Sequence, residues 1–140
     1  MGTILLKNIT LNGSQSDIVV SDGLISNISK AGQAVPVPGA EIMDCTGKAA
    51  FPGFVNMHTH AGMSMMRGMG EDIAFQEWID IIWKIESKID AQYIYWATKV
   101  AALEMIKTGT TTFNDQYWLI PSARKAAIEM GIMPVSSYVI

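Results

Sequence analysis

From Pro52 onward the chain alternates strand and helix, and no other feature constrains its fold as strongly. A strand is expected at residues 53–58, a Met/Gly loop after it, and helices at 75–87 and 90–107. A β-branched strand, Thr110-Thr111-Thr112-Phe113, comes next, then a helix at 121–130 and a strand from Met133 to Val139. Asp90 is placed to cap the second helix, and Gly109 lies where that helix must stop. Pro121 opens the next helix and Gly131 closes it. Strands separated by helices of this length call for βα units and a parallel sheet. Phe54, Val55 and Met57 read as buried strand residues.

Residues 3–50 have a different texture. Short apolar runs, Ile4-Leu5-Leu6, Asp17 to Val20, Gly23 to Ile28 and Glu41 to Cys45, are punctuated by Asn12-Gly13, Asp22-Gly23, Pro36 to Gly39 and Thr46-Gly47. This pattern predicts a small antiparallel sheet without helices. The expected division is therefore 1–50 and 51–140.

The first α/β strand ends in His58-Thr59-His60, which holds both histidines of the chain. Residues i and i+2 of a strand share a face, so the two imidazoles are expected to converge beyond the strand's C-terminal end. Imidazole nitrogens in that arrangement suit zinc or a similar transition metal. A bare His-x-His also occurs as an ordinary surface pair; the apolar run before it and the Gly/Met loop after it favour the metal. Gly62 is expected to let the chain turn away close to the pair. Met57, Met63, Met65, Met66 and Met69 surround the pair and read as adaptable packing.

Composition narrows the function classes. The net charge is −3 with no basic block, which gives no nucleic-acid footprint. No apolar run approaches the ~18 residues of a membrane span, and the N-terminus lacks a signal-peptide core. Cys45 is the single cysteine, which excludes an intrachain disulfide; a buried, inert thiol in a reducing cytoplasm is expected.

The run Pro52 to His60 resembles the metal motif of the amidohydrolase superfamily. Ala61 to Gly68, Glu77-Trp78 and Glu104 to Thr112 are similar to the branch containing methylthioadenosine/S-adenosylhomocysteine deaminases and triazine chlorohydrolases. Residues up to Asp44-Cys45-Thr46-Gly47-Lys48 are similar to that family's small β-sandwich. The resemblance covers essentially the whole chain. It implies the first strands and helices of a (β/α)8 barrel preceded by a small antiparallel β-sandwich sheet, incomplete within 140 residues, since a closed barrel takes about 250. A small open three-stranded α/β domain is the other architecture the pattern allows.

The same resemblance implies His58 and His60 as the first two ligands of a divalent metal, zinc or iron. Further ligands and the general acid/base come from later strands in the family and have no counterpart here. The chain alone is therefore expected to hold metal weakly and to be inactive. The implied reaction is deamination of an aminated purine or related N-heterocycle by metal-activated water. Triazine-type or guanine-type hydrolysis, or a non-catalytic fragment, are the alternatives. Glu86 is implied as a substrate contact; a solvated charge on a helix face is the plainer reading. Trp78 is expected in the core, although an indole there also suits stacking on a heterocycle. Glu104 and Asp115 are expected to be structural hydrogen-bond or ion-pair partners. With about half its residues apolar (49%), the chain is expected to self-associate or to pair with a further C-terminal part.

Overall fold

The structure is a computed structural model that describes residues 2–138. The chain divides into two compact units, Met1–Pro52 and Gly53–Ile140.

The first unit is a four-stranded sheet of β1 (Thr3–Leu11), β2 (Ser14–Ser21), β3 (Leu24–Lys30) and β4 (Glu41–Asp44), in the order β3-β2-β1-β4. Asn12-Gly13 and Asp22-Gly23 make the two hairpin turns with positive φ throughout (49°, 79°, 50° and 82°), the conformation a two-residue type I′ loop requires. The sheet is not wholly antiparallel, as the sequence suggested: β4 pairs with β1 in parallel. The segment between Lys30 and Glu41 crosses the sheet and delivers β4 to the opposite edge. Ile9, Ile18 and Cys45 form its small core, and the Cys45 thiol is buried and free. Asp17 is buried as well; its two carboxylate oxygens accept hydrogen bonds from the Asn8 (3.0 Å) and Gly32 (2.8 Å) amides. These bonds, the Asn8 amide foremost, hold its pKa below the ordinary value despite burial.

The second unit carries a parallel sheet in the order β5-β6-β7, formed by Phe54–Thr59, Thr110–Tyr117 and Met133–Tyr138. A 3-10 helix (Ala61–Met66), α1 (Phe75–Glu86) and α2 (Ala91–Lys107) connect β5 to β6; α3 (Ile120–Met130) connects β6 to β7. The capping expectations hold. Asp90 accepts from the Tyr93 amide at 2.8 Å, Pro121 lies in the first turn of α3, and Gly131 ends α3 at φ 80°. The core forms where Ala97, Ala101 and Ala102 of α2 and Ala123, Ala126 and Ala127 of α3 face the strands, around Phe113, Ile94 and Ile132. Small residues let both helices approach the sheet closely.

Three sequence expectations need correction. Phe54, Val55 and Met57 are exposed (69, 55 and 70%), because β5 is an edge strand of this sheet. The second strand runs four residues beyond Phe113, through Asn114-Asp115-Gln116-Tyr117. The Met/Gly loop after His60 contains a 3-10 helix. Val139 and Ile140, at the expected end of the last strand, lie outside the described residues. Among the described residues, no helix is long and apolar enough to cross a membrane.

Candidate functional site

The C-terminal end of β5 and the adjoining end of β6 build the site. His58 and His60 project to the same side, with their Nε2 atoms 3.2 Å apart and the rings edge to face. The i, i+2 spacing of the strand produces this convergence. The Nδ1 of His60 lies 2.6 Å from the Gln116 carbonyl oxygen. A carbonyl only accepts, so Nδ1 carries the hydrogen and the Nε2 lone pair of His60 is left to bind.

The residues fit a divalent metal, in part. Two nitrogens bound at ~2.0–2.1 Å to a tetrahedral ion sit about 3.3 Å apart, which is the spacing of the two Nε2 atoms. The Gln116 carbonyl gives His60 the outer hydrogen bond that metal-ligating imidazoles ordinarily make. Asp115, only 1% exposed, lies behind His60; its Oδ1 accepts from the Ala61 amide at 2.9 Å, and its Oδ2 is buried without a hydrogen-bond partner. Burial pushes the Asp115 carboxyl above the usual carboxylate range, opposed by the Ala61 amide and by His60. Among the described residues, no group of three or more His, Cys, Asp or Glu side chains surrounds one metal position. The pair would therefore offer two ligand positions, below the three or four a zinc site uses.

Beside His60 is a cavity of about 240 Å³, walled by Met63, Trp78, Ile82, Trp83 and Trp118, with Glu86 as its anionic group. Glu86 closes α1 and is not a freely solvated charge. Tyr117 donates its hydroxyl to Oε1 at 2.7 Å, and the Trp118 indole donates to Oε2 at 3.2 Å. Burial first, and then the Glu86 carboxylate, raise the Tyr117 pKa well above the ordinary value. Two of the carboxylate's lone-pair positions are taken, and the others remain for hydroxyl donors. Trp78 is half-buried, stacks on Phe75 at 5.9 Å and lines the cavity, so it is neither plain core nor a free platform. Gly62 serves close approach rather than a turn: a Cβ there would meet the Tyr117 ring at 2.4 Å. Glu104 forms a two-bond fork with Arg67 (2.8 and 3.0 Å), the structural partnership expected of it.

Tyr117, Trp118 and the Gln116 carbonyl went unnoticed in the sequence. A main-chain acceptor leaves no sequence signal, and a polar strand extension runs against β propensity. The one available cue was two adjacent aromatics immediately before a helix start.

Comparison with known proteins places this geometry in context. Two curated relatives that the chain matches are about three times as long, the chain spanning 32–33% of their length. It is 38% identical over 136 residues to a 5'-deoxyadenosine deaminase of Methanocaldococcus jannaschii, covering 96% of this chain and 32% of that protein. It is 39% identical over 140 residues to a 5-methylthioadenosine/S-adenosylhomocysteine deaminase of Thermococcus sibiricus, covering 97% and 33%. Among solved structures, a zinc-bound adenosine deaminase from Xanthomonas campestris superposes with a TM-score of 0.81 at 25% identity, over 95% of this chain and 32% of that one. A triazine hydrolase from Arthrobacter aurescens shares the fold, with a TM-score of 0.81 at 21% identity, over 99% and 36%. Residues 49–139 match the Amidohydrolase family, and the chain belongs to it.

Proposed function

We propose that this chain is the N-terminal part of a metal-dependent hydrolase that deaminates a 5'-substituted adenosine nucleoside, such as 5'-deoxyadenosine, methylthioadenosine or S-adenosylhomocysteine. The observation that carries the reading is the convergence of the His58 and His60 Nε2 atoms at 3.2 Å, beside a cavity that Glu86 lines with three tryptophans. The deaminase-named relatives support the substrate class.

In this reading His58 and His60 hold a divalent ion, zinc first and iron second, and the rest of the coordination comes from residues outside this chain. The ion supplies Lewis acidity for hydrolysis near neutral pH. The chain's own residues bind and orient. Trp78, Trp83 and Trp118 give the base or the 5' substituent apolar walls and exclude water. Glu86, held by Tyr117 and Trp118, accepts hydrogen bonds from vicinal ribose hydroxyls and so sets how far the purine ring stands from the imidazole pair. No residue here is assigned as general acid or base, and the 140 residues alone are expected to be inactive. The exposed rows Phe54, Val55, Met57 and Met133, Val135 are assigned to contacts with a further part of the protein or with a second copy. A cytoplasmic location fits the lone, reduced Cys45.

Ammonia release from the three nucleosides, measured on the zinc-loaded product of the complete reading frame, tests this. Turnover is expected, with His58→Ala abolishing it and Glu86→Ala raising KM for nucleosides far more than for free adenine. Absence of release from all three substrates, or a Glu86→Ala enzyme with unchanged nucleoside KM, contradicts the reading.

A further inference from the structure

The β5–β6 ladder fails at the place where the imidazoles leave the strand. Its pairs are Phe54 with Thr110, Val55 with Thr112 and Asn56 with Phe113, and it resumes only at Thr59 with Asp115. Met57 and His58 have no regular partner across the sheet. His60 then departs from strand geometry, with φ −126° and ψ 72°, against a strand ψ of about +115 to +135°. Left to itself, such a segment offers no fixed direction for either ring.

Three consecutive residues of β6 replace the missing ladder. The Asn114 Nδ2 donates to the Met57 carbonyl at 3.1 Å. The Asp115 Oδ1 accepts from the Ala61 amide at 2.9 Å. The Gln116 carbonyl accepts from the His60 ring at 2.6 Å. The middle bond is the distinctive one. The Ala61 amide belongs to the peptide that His60 ψ rotates, so fastening it fixes the His60 backbone from the far side. It is also made by a side chain that is 1% exposed, with its other oxygen unpartnered. Burying a polar oxygen without a partner is costly, so the side chain is ill suited to packing alone.

We propose that Asp115 is a positioning residue for the imidazole pair: by anchoring the Ala61 amide it holds His60 in the orientation in which Nδ1 meets the Gln116 carbonyl and Nε2 meets that of His58. The role rests on the reading of the pair as metal ligands. Asp115 does not itself reach the metal position. It acts through one peptide and one ring.

The test follows the histidine ring nitrogens by long-range proton–nitrogen NMR of the 140-residue chain, first without metal and then through a titration with Zn²⁺ alone. Asp115→Asn keeps an acceptor oxygen for the Ala61 amide; Asp115→Ala does not. Ile132→Ala, a cavity in the hydrophobic core that includes Phe113 of β6, controls for general loosening. In the parent chain His60 is expected in the Nδ1–H form. Asp115→Ala is expected to give a mixture of tautomers and to weaken Zn²⁺ binding about 10- to 100-fold, the effect of losing outer-shell support. Asp115→Asn is expected to restore the Nδ1–H form and to bind within about threefold of the parent, well inside that outer-shell range. Asparagine failing like alanine in both readouts, or Ile132→Ala shifting them as far as Asp115→Ala, overturns the proposal; so does an Asp115→Ala chain that matches the parent. If His58→Ala/His60→Ala binds Zn²⁺ as the parent does, the metal reading fails instead, while the metal-free tautomer still decides the role of Asp115.

Discussion

Gly62→Ala is the sharpest perturbation of the site that leaves every polar group in place. Gly62 is buried, and an added Cβ would lie 2.4 Å from two Tyr117 ring carbons and 2.8 Å from Ile94 Cδ1. Ordinary carbon contacts lie at about 3.5–4.0 Å, so the ring must move by roughly 1 Å or more. Tyr117 has little room, since its ring packs with Ile94, Ile120 and Ala123 and its hydroxyl is tied to Glu86 at 2.7 Å. Overpacking of this kind costs about 1–3 kcal/mol. Loss of a hydrogen bond to a charged acceptor adds about 1.5–3 kcal/mol at most, and the alanine's lower unfolded-state entropy returns about 0.4–1 kcal/mol. A net loss of about 2–4 kcal/mol is expected. The assay is urea denaturation followed by tryptophan fluorescence. All 4 tryptophans lie in the unit Gly53–Ile140, so the signal reports on that unit. Tyr117→Phe removes the hydroxyl alone, and in that background Gly62→Ala should cost less than in the parent, because the hydrogen bond is already gone. A Gly62→Ala loss under about 0.5 kcal/mol, the scatter of neutral substitutions, would refute this by showing that the Tyr117 ring is not held tightly against Gly62.

Asp17 makes a pH-dependent contribution to the first unit. Its folded pKa lies below the ordinary 3.8, so its stabilisation is fully present above that pH and is lost as pH falls through the folded pKa. The Asn8 and Gly32 amide resonances should titrate with a midpoint below 3.8, and Asp17→Asn should flatten the acid limb of stability; a midpoint above 3.8 contradicts this. Asp90→Ala should destabilise the second unit by about 1 kcal/mol through loss of the helix cap, as read by the same urea experiment. Sedimentation should show the 140-residue chain self-associating through its exposed apolar rows, whereas a stable monomer with a cooperative melt would remove that expectation.

Much of the second unit was legible because each element carries its own local signals. Asp90, Pro121 and Gly131 mark helix ends through capping and backbone conformation, and these do not depend on tertiary context. The convergence of His58 and His60 was legible for the same reason, being a consequence of strand pleat alone. The polar end of β6 was not. Asn114, Asp115 and Gln116 carry poor strand propensity, and they extend the strand because their backbone pairs with Val135, Ser136 and Ser137 of β7, while the Asn114 and Asp115 side chains and the Gln116 carbonyl bond to β5 and to the chain beyond it. Their value is relational, with partners more than fifty residues away, and no local window contains it. The exposure of Phe54, Val55 and Met57 was misjudged on related grounds. Apolar periodicity states that a surface prefers burial, not whether the described sheet supplies a covering layer. Cross-strand pairing likewise placed β4 parallel to β1, where hairpin signals suggested antiparallel neighbours throughout.

The proposed chemistry depends on the two imidazoles forming a preorganised metal pair. Competition between the protein and a chromophoric chelator for Zn²⁺ tests it most directly, with the parent chain compared with His58→Ala, His60→Ala and the double variant. One weakly held ion per chain is expected, lost on removal of either ring, since the Nε2 atoms 3.2 Å apart act together. Zn²⁺ affinity unchanged in the double variant would contradict it.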